Sequence, residues 1–149
     1  MPTHVYPYLV ALHLLAAIAF GGSVFFEVVV LGALRRRLPA RVVVQVEAAV
    51  GARARKVMPW VLLSLYGSGI GLGWTHRAAL APPTSGSVGV LLAAKIALAL
   101  SVFGHFTFVM LRQRRGTLDA ALSRRVHLSV FVHVLAIAVL AKAMFALHW

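Results

Sequence analysis

Ionisable side chains stand inside long apolar stretches of this chain: His13, Glu27, Lys95, His105 and His133. A neutral imidazole is less costly to bury than a full charge, and its nitrogens can ligate haem iron or copper. The three histidines therefore predict a site for haem b or copper. Lys95 is predicted as a further cofactor-binding residue, which would neutralise a haem propionate or serve as a second ligand. Each histidine taken alone is equally consistent with a packing residue.

The rest of the composition limits this chemistry further. The chain has no cysteine, so disulfides, iron–sulfur clusters and thiolate metal sites are excluded. Its four methionines are scattered and form no run of soft ligands of the kind that favours copper. No pattern identifies a catalytic residue.

The composition also fixes the class of protein that must position these residues. Of 149 residues, 61% are hydrophobic and only 12% are charged, whereas soluble domains carry about 25% charged residues. Apolar runs of about 20 residues are long enough to cross a bilayer. The sequence therefore predicts an integral membrane protein, all-α in class, with the lipid bilayer as its main partner.

Four membrane spans are predicted, at about residues 8–34, 57–74, 88–111 and 126–147. Twelve of the fifteen basic residues lie in the two segments 35–56 and 112–125, which the positive-inside rule places in the cytoplasm. This predicts a four-helix up-down bundle in the cell inner membrane, a single domain over 1–149, with both termini on the outer (periplasmic) side. The same placement explains the net charge of +12 without nucleic acid as a partner.

The first connection, residues 35–56, is predicted to be amphipathic and cytoplasmic. Pro39 breaks the first helix, and residues 41–56 then interleave apolar and charged side chains, which is typical of a helix lying in the membrane interface. Pro59 is predicted in the first turn of a new helix, where proline is tolerated.

Helix geometry relates the ionisable residues to one another. At about 1.5 Å per residue, His13 and Lys95 fall in the outer half of the membrane, and His105, His133 and Glu27 in the inner half. His13 and Glu27, about 40° apart in helical phase, share one face. His105 and His133, on consecutive antiparallel helices at similar depth, are predicted to face one another across a porphyrin.

Glycines recur at alternate positions of the second span: Gly67, Gly69, Gly71 and Gly73. They form two overlapping pairs of small residues four apart, a spacing that allows another helix to approach the backbone closely. Helix packing is the first interpretation, and close approach of a flat cofactor is the second.

Two stretches resemble the copper-resistance D (CopD) family of membrane proteins. The first span, LHLLAAIAFGGSVFFEVVVLGALRRRL, has a Leu-His near its start, a Gly-Gly about two turns later, and a basic end. The third, LLAAKIALALSVFGHFTFVMLRQRR, is similar to the lysine-containing helix of that family. The superfamily includes the HemJ-type protoporphyrinogen oxidases, which are haem b proteins. The resemblance implies a cofactor role for His13 and Lys95.

Three functions remain open from the sequence. The first is binding of haem b or copper through the intramembrane histidines, in redox chemistry or copper handling. The second is a cofactor-free accessory or structural subunit of a larger membrane complex, in which the glycines pack against partners. The third is a small copper or cation transporter, which would need to form a homo-oligomer because one four-helix protomer is small for a carrier.

Overall fold

The computed structural model describes residues 4–80 and 87–146, and in those residues the regular structure is entirely helical. Four long helices follow one another along the chain: α1 (Tyr6–Leu34), α2 (Ala40–Thr75), α3 (Ser87–Arg114) and α4 (Ala120–Ala146). A short 3-10 helix, Arg77–Leu80, follows α2. The predicted all-α class is therefore confirmed, while the predicted end of the fourth span at residue 147 lies outside the described residues.

All four helices are long and apolar enough to cross a membrane. Only 6% to 22% of the most apolar stretch of each helix is buried by protein, so most of the apolar side chains need a non-aqueous surrounding. The helices therefore belong in a lipid bilayer, as the composition predicts. The predicted outer location of both termini stays a prediction.

Helix α1 changes its winding near its C-terminal end. It begins with a proline in its first turn, which suits a position whose N–H needs no helical partner, and is α-helical over Tyr6–Phe25. Residues Phe26–Leu31 are π-helical, and Gly32–Leu34 return to α-helix. Short π segments often occur at functional positions, and this one contains Glu27.

Helix α2 runs without interruption through the predicted boundary between the amphipathic connection and the second span. It starts after Pro39, whose carbonyl accepts bonds from the N–H groups of Val42 and Val43 at 2.9 and 3.1 Å. Pro59 lies inside the helix and not in the first turn of a new one. The prediction of a separate helix was wrong because a proline removes only one backbone donor, which a long apolar helix can tolerate.

The described contacts divide the chain into two compact units, Met1–Thr75 and His76–Trp149. In the first unit α1 and α2 pack antiparallel, since His13 near the start of α1 contacts Ser68 near the end of α2, while Arg35 just after α1 contacts Glu47 near the start of α2. The buried apolar residues of α1 are spaced by four, four and seven positions, which places them on one face of the helix. They are Ala16, Phe20, Val24 and Leu31. The prediction of one domain over 1–149 stays a prediction.

In the second unit α3 and α4 form an antiparallel helix pair. The turn between them begins at Gly116, which has φ of +66° and accepts this left-handed conformation because it lacks a Cβ atom. The N–H groups of Gly116 and Thr117 donate to the carbonyls of Gln113 and Arg112 at 3.1 and 3.0 Å. This is a Schellman C-cap, and it ends α3 so that α4 can return beside it.

Candidate histidine site

His105 on α3 and His133 on α4 lie ring to ring in the second unit. Their ring centroids are 5.3 Å apart and the ring planes are inclined by 58°. The structure therefore places the two imidazoles next to each other across the helix pair with their planes tilted, while the predicted porphyrin between them stays a prediction. The rings are in direct contact.

Each of these histidines follows a serine by four residues in its own helix. His105 Nδ1 donates to the carbonyl of Ser101 at 2.7 Å, and His133 Nδ1 donates to the carbonyl of Ser129 at 2.8 Å. Residues four apart lie one above the other on a helix face, which brings each ring back over the preceding turn. Because a carbonyl only accepts hydrogen bonds, Nδ1 carries the proton in both rings.

The serine hydroxyls form hydrogen bonds between the two helices. Ser101 Oγ lies 3.1 Å from His133 Nε2, and Ser129 Oγ lies 3.1 Å from His105 Nε2. In the neutral imidazole with the proton on Nδ1, Nε2 is an acceptor, so each hydroxyl donates to the ring of the opposite helix. The four residues form a closed ring of four hydrogen bonds, which we call the Ser–His ring.

The Ser–His ring fixes which histidine nitrogens are available for chemistry. Metal-ligating histidines almost always donate their other ring N–H to a carbonyl, a carboxylate or water, which sets the tautomer and increases ligand basicity. His105 and His133 already make that bond, and their basic Nε2 atoms both point into the contact between α3 and α4. A metal ion there would replace two neutral hydroxyl donors.

These residues fit a single ion better than a porphyrin. A porphyrin between the two imidazoles would have to pass through the contact between the rings and separate α3 from α4. A single ion bound to both Nε2 atoms would displace the hydroxyls of Ser101 and Ser129. Among residues 4–80 and 87–146, no three side chains of histidine, aspartate or glutamate are grouped as a metal site, so an ion at this pair would have two imidazole ligands.

The two serines were not identified from the sequence, although their spacing was a usable signal. Ser-x-x-x-His occurs at 101/105 and 129/133, and a third time at 123/127. His127 Nδ1 donates to the carbonyl of Ser123 at 2.8 Å, which repeats the local half of the arrangement near the start of α4.

His13 belongs to a different site, inside the first unit. Its Nδ1 donates to the carbonyl of Leu65 at 3.0 Å and lies 3.2 Å from Ser68 Oγ. A Cβ atom added to Gly69 would come within 3.1 Å of His13 Cε1. The imidazole therefore packs directly on the backbone of α2, where a glycine makes room for it.

The predicted glycine set divides by environment. Gly69 makes the close approach expected of a packing glycine, but to the His13 side chain. An added Cβ at Gly67 or Gly73 would meet nothing within 4 Å in the described part of the chain. Gly71 lies between them on α2 and is partly buried. The flat-cofactor interpretation of these glycines is untested.

Glu27 takes part in an ion-pair cluster and shares it with Arg35 and Glu47. Arg35 Nη2 lies 3.1 Å from Glu27 Oε1, and Arg35 Nε donates to Glu47 Oε1. The side chains are only 20% to 30% exposed. This cluster gives the one carboxylate predicted within a span a cationic partner and ties the end of α1 to the start of α2.

Lys95 lies outside the Ser–His ring. It is on α3 and partly buried, ten residues before His105, which corresponds to about 15 Å along a helix. Lys95 and His13 belong to different units, so their predicted outer grouping stays a prediction.

No protein-family model, curated protein or solved structure matches the chain. The resemblance to the copper-resistance D family therefore stays a prediction, and the geometry of the site is the basis for a function.

Proposed function

We propose that this chain is an inner-membrane protein that binds a single copper ion between His105 and His133, in copper handling. The observation that supports this most directly is the pair of Nδ1–H bonds to the carbonyls of Ser101 and Ser129. These bonds leave Nε2 of both rings as the basic nitrogen, and both Nε2 atoms lie in the same contact between two helices.

The membrane setting favours the monovalent ion. Imidazole is a good ligand for copper, and Cu(I) is stable with as few as two ligands. A divalent ion would carry twice the charge into an apolar surrounding, where the cost of desolvation rises steeply with charge. The proposed ligand set is therefore two neutral imidazoles on one Cu(I) ion.

A competitive titration of purified protein tests this proposal. Protein in mild detergent would be titrated with Cu(I) under reducing conditions against a chromophoric Cu(I) chelator. We expect the variants His105→Ala and His133→Ala each to lose at least about tenfold in affinity, which corresponds to about 1.4 kcal/mol.

The matched control is His127→Ala, because His127 makes the same bond to a serine carbonyl four residues earlier. Its affinity for Cu(I) is expected to stay within about twofold of the parent protein. Equal losses in all three variants, or no loss in any, would contradict a site at the His105–His133 pair.

A second candidate function is a cofactor-free accessory subunit of a larger membrane complex. It is favoured by the closed Ser–His ring, in which both nitrogens of each histidine already have a hydrogen-bond partner. On this proposal the folded protein binds neither copper nor haem and copurifies with a fixed partner. An absorbance spectrum with a Soret band lost in His13→Ala would instead support haem at the first span.

A further inference from the structure

A groove of about 380 Å³ opens at the end of α3. Five exposed residues line it: Phe108, Leu111, Arg112, Arg115 and Thr117. Phe108, Leu111 and Arg112 are spaced by three and one residues, so they lie along one face of α3, and Arg115 directly follows the last residue of this helix. The groove therefore follows the helix from its apolar part to its basic end.

The polarity of the groove changes along its length in one direction. Phe108 and Leu111 lie nearer the apolar part of α3, and Arg115 lies seven residues, or about 10 Å, beyond Phe108. The Arg112 guanidinium lies 5.3 Å from the centre of the Phe108 ring, a cation–π geometry that holds the charge at the boundary between the two halves. A molecule that fits this groove has an apolar chain and an anionic head.

The two arginines of the groove have no carboxylate partner among the residues that line it. The nearby Asp119 is engaged at the start of α4, where its Oδ1 accepts the backbone N–H of Leu122 at 2.6 Å. Two guanidinium groups with several donors each match a phosphate group geometrically as well as in charge.

The turn after α3 closes the basic end of the groove. Thr117 N and Oγ1 both donate to the carbonyl of Arg112, at 3.0 and 3.3 Å. The left-handed Gly116 lets the chain fold back in this way. The wall formed by Thr117 is thus fixed by backbone geometry relative to Arg112.

We propose that this groove binds one anionic phospholipid, with its phosphate at Arg112 and Arg115 and its acyl chain along Phe108 and Leu111. The membrane itself supplies this ligand, and the groove lies at the end of α3 that the positive-inside rule assigns to the inner surface. The inference is independent of the proposed copper site.

Native mass spectrometry of the detergent-solubilised full chain tests the proposal, with phosphatidylglycerol as the probe and phosphatidylcholine, which is zwitterionic with zero net charge, as the comparison. We expect one phosphatidylglycerol to bind more tightly than phosphatidylcholine. The double variant Arg112→Gln/Arg115→Gln should weaken phosphatidylglycerol binding about tenfold more than the control. The control is Arg124→Gln/Arg125→Gln, which removes the same charge from exposed positions on α4.

Three results would overturn the proposal. Equal losses in the two double variants would show general attraction between basic residues and anionic lipid. Displacement of the lipid by millimolar inorganic phosphate would show a site for a free anion. Unchanged binding in Phe108→Ala/Leu111→Ala, which keeps both arginines, would show that the apolar wall contributes nothing.

Discussion

At the scale of single residues, the serines decide what the histidines can do. Ser101 and Ser129 each use the carbonyl to hold the ring of their own helix and the hydroxyl to reach the ring of the opposite helix. The sequence identifies the two histidines because ionisable groups in apolar runs are conspicuous. It does not reveal the hydroxyl contacts, because these depend on the register between α3 and α4.

Removing one serine hydroxyl of the Ser–His ring should change the free energy of unfolding and the affinity for Cu(I) in opposite directions. Ser101→Ala or Ser129→Ala leaves one Nε2 without its donor, which should lower the free energy of unfolding by about 1 kcal/mol. The same change should raise the affinity for Cu(I) a few-fold, because the ion no longer displaces a hydroxyl. Denaturant unfolding followed by circular dichroism and the chelator titration measure the two quantities.

Ser123→Ala is the control. The Ser123 hydroxyl lies 3.4 Å from His127 Nδ1 in the same helix, and neither residue belongs to the Ser–His ring. A loss of Cu(I) affinity in Ser101→Ala as large as that in His105→Ala would mean that the hydroxyl assists binding, contrary to the displacement argued here.

Glycine at position 69 is explained by its neighbour across the first unit. The His13 ring is held by its bonds to Leu65 and Ser68, so it cannot retreat from a new Cβ at 3.1 Å without lengthening them. Gly69→Ala should therefore be less stable than Gly73→Ala, by about 1 kcal/mol or more.

Gly73→Ala is the matched control on the same helix, where the added methyl meets open space and should stabilise by about 0.5–1 kcal/mol through helix propensity. Thermal unfolding in detergent would compare the two. Equal stability would mean that the His13 ring moves aside freely.

At the scale of elements, the end of α1 is joined to the start of α2 by one arginine. Arg35, Arg36 and Arg37 are consecutive, but only Arg35 is partly buried, and it contacts both Glu27 and Glu47. The sequence explains the run of arginines as a topology signal. It does not distinguish the one arginine that also holds the two helices together.

Replacing Arg35 by a neutral residue leaves two largely buried carboxylates without their shared cation. Arg35→Gln should lower the free energy of unfolding by about 1–3 kcal/mol, as measured by unfolding in detergent. Arg36→Gln changes the neighbouring exposed arginine and should stay within about 0.5 kcal/mol of the parent. If the two variants lose the same stability, the cluster does not link α1 to α2.

At the scale of the whole molecule, the lengths of the apolar runs predict the four helices, because a membrane requires that every span bury its backbone polar groups in a helix. The first and last residues of the helices are predicted less accurately from the apolar runs. The first helix begins at Tyr6 against a predicted residue 8, and α4 begins at Ala120 against a predicted 126. Residues of good helix propensity, such as Ala120, Ala121 and Leu122, extend α4 beyond its apolar run, while Pro7 is tolerated in the first turn of α1.

Two departures from regular winding escaped prediction for physical reasons. The low helix propensity of proline predicts a helix boundary near Pro59, yet the long helix continues through this residue. The π-helical turn at Phe26–Leu31 has no local composition signal, since its residues would also suit an α-helix. Pro59 removes only one backbone donor, which a long apolar helix tolerates.

The Ser–His ring has an approximate two-fold axis, because the same five-residue unit, Ser-x-x-x-His, occurs on two antiparallel helices. The matching bonds in the two halves agree to within 0.1 Å: 2.7 and 2.8 Å at Nδ1, and 3.1 Å at both Nε2 atoms. An ion on this axis would meet equivalent nitrogens from either helix, so neither ligand would be the stronger one. If the ion leaves towards one side of the membrane in preference to the other, residues outside the Ser–His ring must set that direction, because α3 and α4 lose this symmetry there.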